Sequence, residues 1–359
     1  MNHDPLSDVL RSVRLRGAVF YNVSCRDEWV AETPPGSVMS PAVMPGAEHL
    51  MAYHMVAKGG GWAATDGLPP VRLAAGDIVM FPHGNAHVLS SAPGMAVPTR
   101  DPQWVLATRH DPKPIPIAFL HGVFKPGFAM PVEEAETVVI CGFVGCDLRP
   151  FNPLIAALPK LLHLPAGGSG AWVAPMLHHA ANESNARRAG SAAVLERVSE
   201  MVFVDAARRY LESLPDDASG WLAALRDRYV GKAIQLMHER PADPWTIDEL
   251  GRKVGLSRSA LHERFVQLVG QPPMQYLTNW RMQCGARLLR EGRETVATIA
   301  LEVGYESEAA FARAFKRLVG QPPAAWRRGA AGAGVGFIDQ RRAEGVDRRS
   351  GSKVGVAVS

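Results

Sequence analysis

The hexapeptide Leu268-Val269-Gly270-Gln271-Pro272-Pro273 recurs as Leu318-Val319-Gly320-Gln321-Pro322-Pro323, fifty residues on. The flanks match as well. Phe265 answers to Phe315 and Tyr276 to Trp326, while Val254-Gly255 answers to Val303-Gly304 at an offset of 49. The second copy therefore has one extra residue in its turn. An identity of this length with matched flanks marks a duplicated structural unit.

Each copy can be read physically. In the first, Thr246 precedes Glu249 by three residues, the spacing of a capping box at a helix start. A short helix follows through Ile247, Leu250 and Val254, and Gly255 stops it in a left-handed turn that glycine adopts cheaply. Ser257 caps a second helix whose buried stripe is Leu261, Phe265 and Leu268; Gly270 and Pro272-Pro273 end it. The second copy repeats the plan, with Ile299 and Ala300 facing inward, Gly304 in the turn, Ser307 as cap, and Phe311, Phe315 and Leu318 buried. Helix, tight glycine turn and capped helix make a helix-turn-helix.

These residues resemble the AraC/XylS family of transcription regulators over about Trp245 to Trp326. The most specific part is Ile299-Ala300, Val303-Gly304-Tyr305, Ser307, Phe311, Arg313, Phe315-Lys316, Gly320 and Pro322-Pro323. Members of the family join the two units by one long helix. The resemblance places it at Met274–Arg290, with Arg281, Met282, Leu288 and Leu289 as its family-like residues. Gly285 departs from the Ala usual there, at ~1 kcal/mol for a glycine inside a helix. The resemblance implies that the two second helices enter successive major grooves of double-stranded DNA, ~34 Å apart. Base edges would be read by Arg258, Ser259, His262 and Glu263 in the first unit, and by Glu308, Ala309, Ala310 and Arg313 in the second. Arg pairs bidentately with guanine, Glu accepts from cytosine, and Ala meets a thymine methyl or leaves room for the groove wall. Lys316 and Arg317 are expected on phosphate, which fixes register without reading sequence. Phe265, Phe315 and Trp326 are expected in the core, and Arg281 or Arg287 is a candidate brace of the repeat interior.

Working outward, residues 13–125 have a different texture. Short apolar runs at Ala18–Val23, Leu50–Val56, Asp77–Phe81 and Pro116–Val123 are bounded by Gly or Pro, and Glu136–Phe143 closes the set. Short strands without long helical periods predict an antiparallel barrel or sandwich. Gly76-Asp77, Pro82, Gly84 and His87 form G-x5-P-x-G-x2-H, which resembles the second conserved motif of cupins, small β-barrels with a ligand cavity. In metal-binding cupins this His is a ligand, and a companion motif supplies two His and a Glu. Here the companion stretch holds His54, with His49 five residues earlier, and the H-x-H pair and the Glu are missing. His54 and His87 are weak metal candidates, with His83 as a third, and no metal or other cofactor is expected. These histidines are expected to line or cap the barrel, bonded to backbone. His54, Trp62, His83 and His87 are the candidate ligand-binding residues. Phe20, Tyr21, Phe81 and Trp104 either join Trp62 at the pocket or fill the core, core being favoured. The barrel resembles the cupin-type sensor fused to AraC/XylS DNA-binding segments, and Cys141-Gly142-Phe143 and Leu158-Pro159 fit that family.

The expected fold class is α+β multidomain. A cupin-like barrel covers 1–165, a helical linker 166–225, an all-α double helix-turn-helix domain 226–330, and a disordered tail 331–359. Between barrel and repeat, Pro153–Leu162 reads as a helix, Gly167–Gly170 as a turn, and Ser191–Leu214 as a helix with Val194, Val198, Met201, Val202, Ala206, Tyr210 and Leu214 on one stripe. Residues 1–225 carry 17 Lys/Arg against 21 Asp/Glu, and 226–330 carry 17 against 11. The basic part is the repeat, which suits a polyanion. Four cysteines scattered over 359 residues are no disulfide framework. No apolar run approaches the ~20 residues of a membrane span, and the first sixteen residues carry no signal pattern, so a cytoplasmic protein is expected. P-loop, GxGxxG, G-x-S-x-G and C-x2-C patterns are absent. Together these point to a sequence-specific DNA-binding transcription regulator, not an enzyme, controlled by an unknown small-molecule effector in the barrel. The family adds a second copy of the chain and RNA polymerase as candidate partners. The alternative is a metal-dependent cupin enzyme fused to a DNA-binding segment.

Overall fold

Asp4 begins the first helix: its carboxylate accepts from the Leu6 amide, and Pro5 pre-sets the first turn. The computed structural model describes residues 4–97, 115–120, 122–167, 172–173, 175–176 and 189–329, without the side chains of residues 19, 20 and 192. The Phe20 side chain, Trp104, residues 168–170 of the expected turn and the 331–359 tail lie outside the described residues. In chain order the elements begin with α1 (Pro5–Ser12), β1 (Arg16–Cys25), β2 (Val30–Thr33), α2 (Gly36–Val43), β3 (His49–Lys58) and β4 (Gly60–Thr65). They continue with β5 (Val71–Ala74), β6 (Ile78–Phe81), β7 (His87–Ser90), β8 (Ile115–Leu120), β9 (Val123–Pro126), β10 (Thr137–Cys146), α3 (Pro153–Ala157) and β11 (Leu162–Leu164). The helical part comprises α4 (Ser191–Ser213), α5 (Trp221–Arg226), α6 (Val230–Glu239), α7 (Ile247–Val254), α8 (Arg258–Val269), α9 (Pro273–Glu291), α10 (Val296–Glu302) and α11 (Glu308–Val319). None of the described helices is long and apolar enough to cross a membrane.

The strands form two sheets, ordered β11-β6-β3-β10-β1-β8-β9 and β2-β7-β4-β5. Among the described residues every ladder is antiparallel except β1 with β8, which run parallel. The expected run Pro116–Val123 is in fact a hairpin, β8 to β9, turning at Gly122. Helix α2 interrupts the expected strands; its eight residues include Pro41 and offer no helical period to read. The expected helix Pro153–Leu162 is also corrected. It stops at Ala157, because Leu158 precedes Pro159 and takes extended backbone, and the chain then pairs as β11 with β6.

The core between the sheets is apolar, with Trp29, Met39, Leu50, Phe81, Phe119 and Phe143 fully or nearly buried. Strands β3 and β10 are buried on both faces over most of their length. Helix α4 lies on the outer face of the sheet, chiefly across β1 and to a lesser extent β10, and turns Leu195, Val198, Val202, Phe203 and Ala206 inward. Of the expected stripe, Val198, Val202 and Ala206 are buried, Tyr210 and Leu214 are half-buried, and Val194 and Met201 are exposed. The close approach explains Gly17, where a Cβ would lie 2.3 Å from the Glu196 carbonyl oxygen and 2.4 Å from Ser199 Cβ. Tyr53 reaches out from β3 to bond the Ser199 hydroxyl at 2.7 Å.

The described chain forms two compact units. One takes residues up to 240 with 245–276, and so includes α6 to α8. The other takes 241–244 with the rest from Leu277. In the second, Met282, Leu289, Ile299, Phe311, Phe315 and Trp326 make the core.

Candidate functional site

Register places one row of side chains across the large sheet: Val79, His54, Cys141, Tyr21 and Ile115 on β6, β3, β10, β1 and β8. Paired residues share a face, and this row faces the small sheet. A cavity of about 70 Å³ opens over it, with Trp29, Leu89, Phe124 and Phe143 among its walls and Glu32, Thr33 and Pro34 on the β2 side. The lining is almost wholly apolar, and among the described residues exposed Glu32 is its one charged side chain. Alternation explains the division of labour on β3: Tyr53 points to α4, and His54, one residue on, points to the cavity.

His54 and His87 come together. Their Nε2 atoms lie 2.7 Å apart, and both rings are 3% exposed or less. Phe81 stacks on His87 at 3.7 Å between centroids. Burial lowers the His54 pKa well below the imidazole value, helped by the facing His87. Burial lowers His87 to about 4, against an opposing bond to the Asn85 carbonyl. Both rings are therefore neutral near pH 7. Two nitrogens 2.7 Å apart share a proton; two zinc ligands at ~2.0–2.1 Å in tetrahedral geometry would stand farther apart. Among the described residues no group of three or more His, Cys, Asp or Glu could hold a metal.

The other two candidate ligand residues are elsewhere. His83 is exposed and bonds the Leu158 carbonyl at 2.8 Å. Trp62 projects from the face of β4 opposite Gly61 and Ala63, away from the core where Ala63 is buried. Tyr21 does line the cavity, whereas Phe81 is core. Trp29, Met39 and Leu89 were missed. They sit beside or in α2 and the short strands β2 and β7, which carried too few residues to show a period.

The duplicated units fold as their caps dictate. Thr246 accepts from the Glu249 amide and Ser257 from Ala260, and Gly255 and Gly270 close the helices in left-handed backbone. In the second unit Thr295 accepts from Thr298 and Ser307 from Ala310, with Gly320 closing α11. Leu261, Phe265, Phe311 and Phe315 are buried, and Leu268 and Leu318 half-buried. Arg258, Ser259, His262 and Glu263 are all exposed on α8, and Arg258 leans toward Asp248 at 3.4 Å. On α11, Glu308, Ala309, Arg313, Lys316 and Arg317 are exposed and Ala310 is half-buried. Arg281 donates to the Pro241 and Asp243 carbonyls at 2.7 Å each, so it braces its own unit. Arg287 instead pairs with Glu291 on α9. Gly285 has a steric reason: a Cβ there would lie 2.9 Å from the Phe311 ring.

Behind α8, the Tyr276 hydroxyl takes the Trp221 indole N–H at 2.8 Å and lies 2.8 Å from His238 Nε2. His238 Nδ1 lies 3.4 Å from the Asp8 carboxylate of α1. Phe151 and Phe265 pack edge-on against the Tyr276 ring. This buried polar cluster joins α1, α5, α6 and the start of α9 within one unit.

Two family descriptions match the chain: "Cupin" over residues 4–212 and "Helix-turn-helix domain" over residues 250–329. A putative AraC-like transcription regulator of Streptomyces lividans is 31% identical over 90% of this chain and 98% of its own length. The HTH-type transcriptional regulator AlkR of Acinetobacter baylyi is 26% identical over 90% of this chain and 99% of its own. Among solved structures, ToxT from Vibrio cholerae aligns with 88% of this chain and 97% of its own at 11% identity, with a TM-score of 0.33.

Proposed function

The chain belongs to the family of AraC-like transcription regulators, and from that membership we propose how it works. Helices α8 and α11 each read base edges in a major groove of double-stranded DNA. Arg258, Ser259, His262 and Glu263 serve the first site, and Glu308, Ala309, Ala310 and Arg313 the second. Lys316 and Arg317 anchor the second helix on phosphate. The observation that carries this reading is the twice-made arrangement: a serine-capped helix after a glycine turn, its aromatic stripe buried and its polar residues exposed. The cupin domain is the sensor. A small molecule in the cavity beside His54 shifts the balance between states that differ in DNA affinity. The protein acts in the cytoplasm, as a regulator and not as an enzyme, and a second copy and RNA polymerase are its further partners.

The test is binding of the purified protein to DNA from upstream of its own gene and neighbouring genes, against a random fragment, by fluorescence anisotropy across a salt series. Preference for one upstream fragment, with log affinity falling linearly with log salt, is the expected result. Equal binding to every fragment, with added metabolites and with wider genomic DNA, would overturn it.

A further inference from the structure

The link from α6 to α7, residues 240–245, reads Arg-Pro-Ala-Asp-Pro-Trp. Its ends and its middle are held by different groups. At the ends, the Trp245 indole N–H donates to the Arg240 carbonyl at 2.9 Å, and the Arg240 guanidinium lies over the Trp245 ring, 5.1 Å from its centroid. Trp245 is buried, which shields this closure from water. In the middle, Arg281 of α9 donates from Nε to the Pro241 carbonyl and from Nη2 to the Asp243 carbonyl, at 2.7 Å each. The rigid guanidinium fork suits two acceptors at a fixed separation, and a lysine could not reproduce it. Between those two carbonyls, the Ala242 backbone lies against the turn of the second helix-turn-helix. A Cβ on Gly304 would come within 2.8 Å of the Ala242 Cα and carbonyl oxygen and 3.0 Å of Arg281 Cζ. Pro241 and Pro244 fix two of the loop's φ angles and stiffen it further.

Residues 241–244 belong to the second compact unit, with Arg281 and Gly304, whereas Arg240 and Trp245 belong to the first. The chain therefore passes between the units at both ends of this loop and again within α9, after Tyr276. A crossing by one helix leaves bending and torsion free; a second attachment through a stiff loop takes up much of that freedom. The loop also leads straight into α7, which starts two residues after Trp245 and opens the first helix-turn-helix. Resting on the reading of DNA by α8 and α11 given above, we propose that Arg281 is a positioning residue for DNA recognition. It straps the 241–244 loop to the second unit and so restricts the spacing between the two DNA elements that α8 and α11 accept. Arg281 touches no base in this role. One inserted base pair moves an element by ~3.4 Å and turns it by ~35°, from ~34 Å and ~10 base pairs per helical turn. A strapped pair of units cannot follow that shift, and an unstrapped pair can.

The experiment uses the full chain and the upstream fragment it prefers, with one base pair inserted at each position in turn. Insertion between the two elements is expected to weaken wild-type binding about tenfold or more, and Arg281→Gln to cut that penalty to about threefold or less. Arg281→Lys, which keeps the charge and loses the fork, should fall between them. Gly304→Ala presses on the other side of the loop and should act in the same direction, which serves if Arg281→Gln fails to fold. Loosening of the structure in general would weaken every fragment alike and leave the insertion penalty unchanged; that result overturns the proposal. A second arm needs no DNA. Spin labels at Gln267→Cys on α8 and Glu302→Cys on α10, both exposed sites, are placed in a Cys284→Ser background, the other cysteines being buried. Arg281→Gln should broaden the distance distribution between them, and an unchanged distribution also overturns the proposal. If the distribution broadens yet the wild-type protein prefers no fragment, the strap holds, and the reading of DNA falls and takes the spacing role with it.

Discussion

Replacing Tyr276 by Phe removes one oxygen and nothing else from a site that is otherwise aromatic. The ring keeps its edge contacts to Phe151 at 5.4 Å and Phe265 at 5.6 Å, and its stacking on His238 at 5.8 Å. What is lost is a hydroxyl that accepts from Trp221 Nε1 and faces His238 Nε2, both at 2.8 Å. Tyr276, Trp221 and His238 are at most 3% exposed, so water cannot take the hydroxyl's place without local opening. Each buried group stripped of its partner costs about 1–3 kcal/mol. Phe needs no desolvation of a hydroxyl, which returns part of the sum, so the net loss should be about 2–4 kcal/mol. The assay is urea unfolding followed by far-UV circular dichroism, with Trp221→Phe and the double variant completing a cycle. The double variant should be less unstable than the sum of the singles, with coupling of about 0.5–3 kcal/mol. A loss below about 0.5 kcal/mol for Tyr276→Phe, or strict additivity, would refute the view that this hydroxyl ties α5 and α6 to the start of α9.

Arg313→Ala should weaken binding to the preferred fragment by about 1–3 kcal/mol and relax preference at one base pair, as anisotropy on single-substituted sites would show. His87→Ala should leave DNA binding without effector nearly intact; loss of that binding in the same assay would contradict the division between sensor and reader. Stability should also depend on pH through His87. A free imidazole titrates near 6.5 and burial holds His87 at about 4, so between these values the unfolded chain takes up a proton that the folded chain refuses. Its contribution is full above pH 6.5 and declines as the pH falls, by up to roughly 3 kcal/mol at pH 4 from ~1.4 kcal/mol per unit. Urea midpoints at pH 7.5 and 5 should show this slope, and His87→Gln should lessen it, the part that remains coming from His54, which burial also lowers. Gly17→Ala should destabilise by about 1–3 kcal/mol, because the new methyl would strike the backbone oxygen of Glu196 and lift α4 from β1. Wild-type stability in a melting experiment would show that α4 is held loosely there.

The sequence by itself determined the helix-turn-helix repeat almost to the residue. Helix ends there are local events: Ser257 and Ser307 cap through bonds three residues long, and Gly255 and Gly270 stop helices with a backbone shape written in their own lack of a side chain. A 3.6-residue period then exposes Arg258, His262 and Arg313 while burying Phe265 and Phe315, so a duplicated pattern shows its solvent face directly. The cupin half was legible as strands but not as a site. Its cavity is set by the register of β3, β10 and β1, which lays His54, Cys141 and Tyr21 in one row from positions far apart in the chain. Which face of β4 Trp62 occupies, and that His54 meets His87 while His83 turns to Leu158, depended on strand pairing that no local pattern encodes. On α4 the expected Val198, Val202 and Ala206 do face inward but Val194 and Met201 do not, because hydrophobic spacing alone does not set the edges of the row that meets the sheet; the close approach at Gly17 helps decide it. Caps and periods act within one turn of the chain. Cavities and histidine tautomers are made by residues that only the tertiary fold brings within hydrogen-bonding distance.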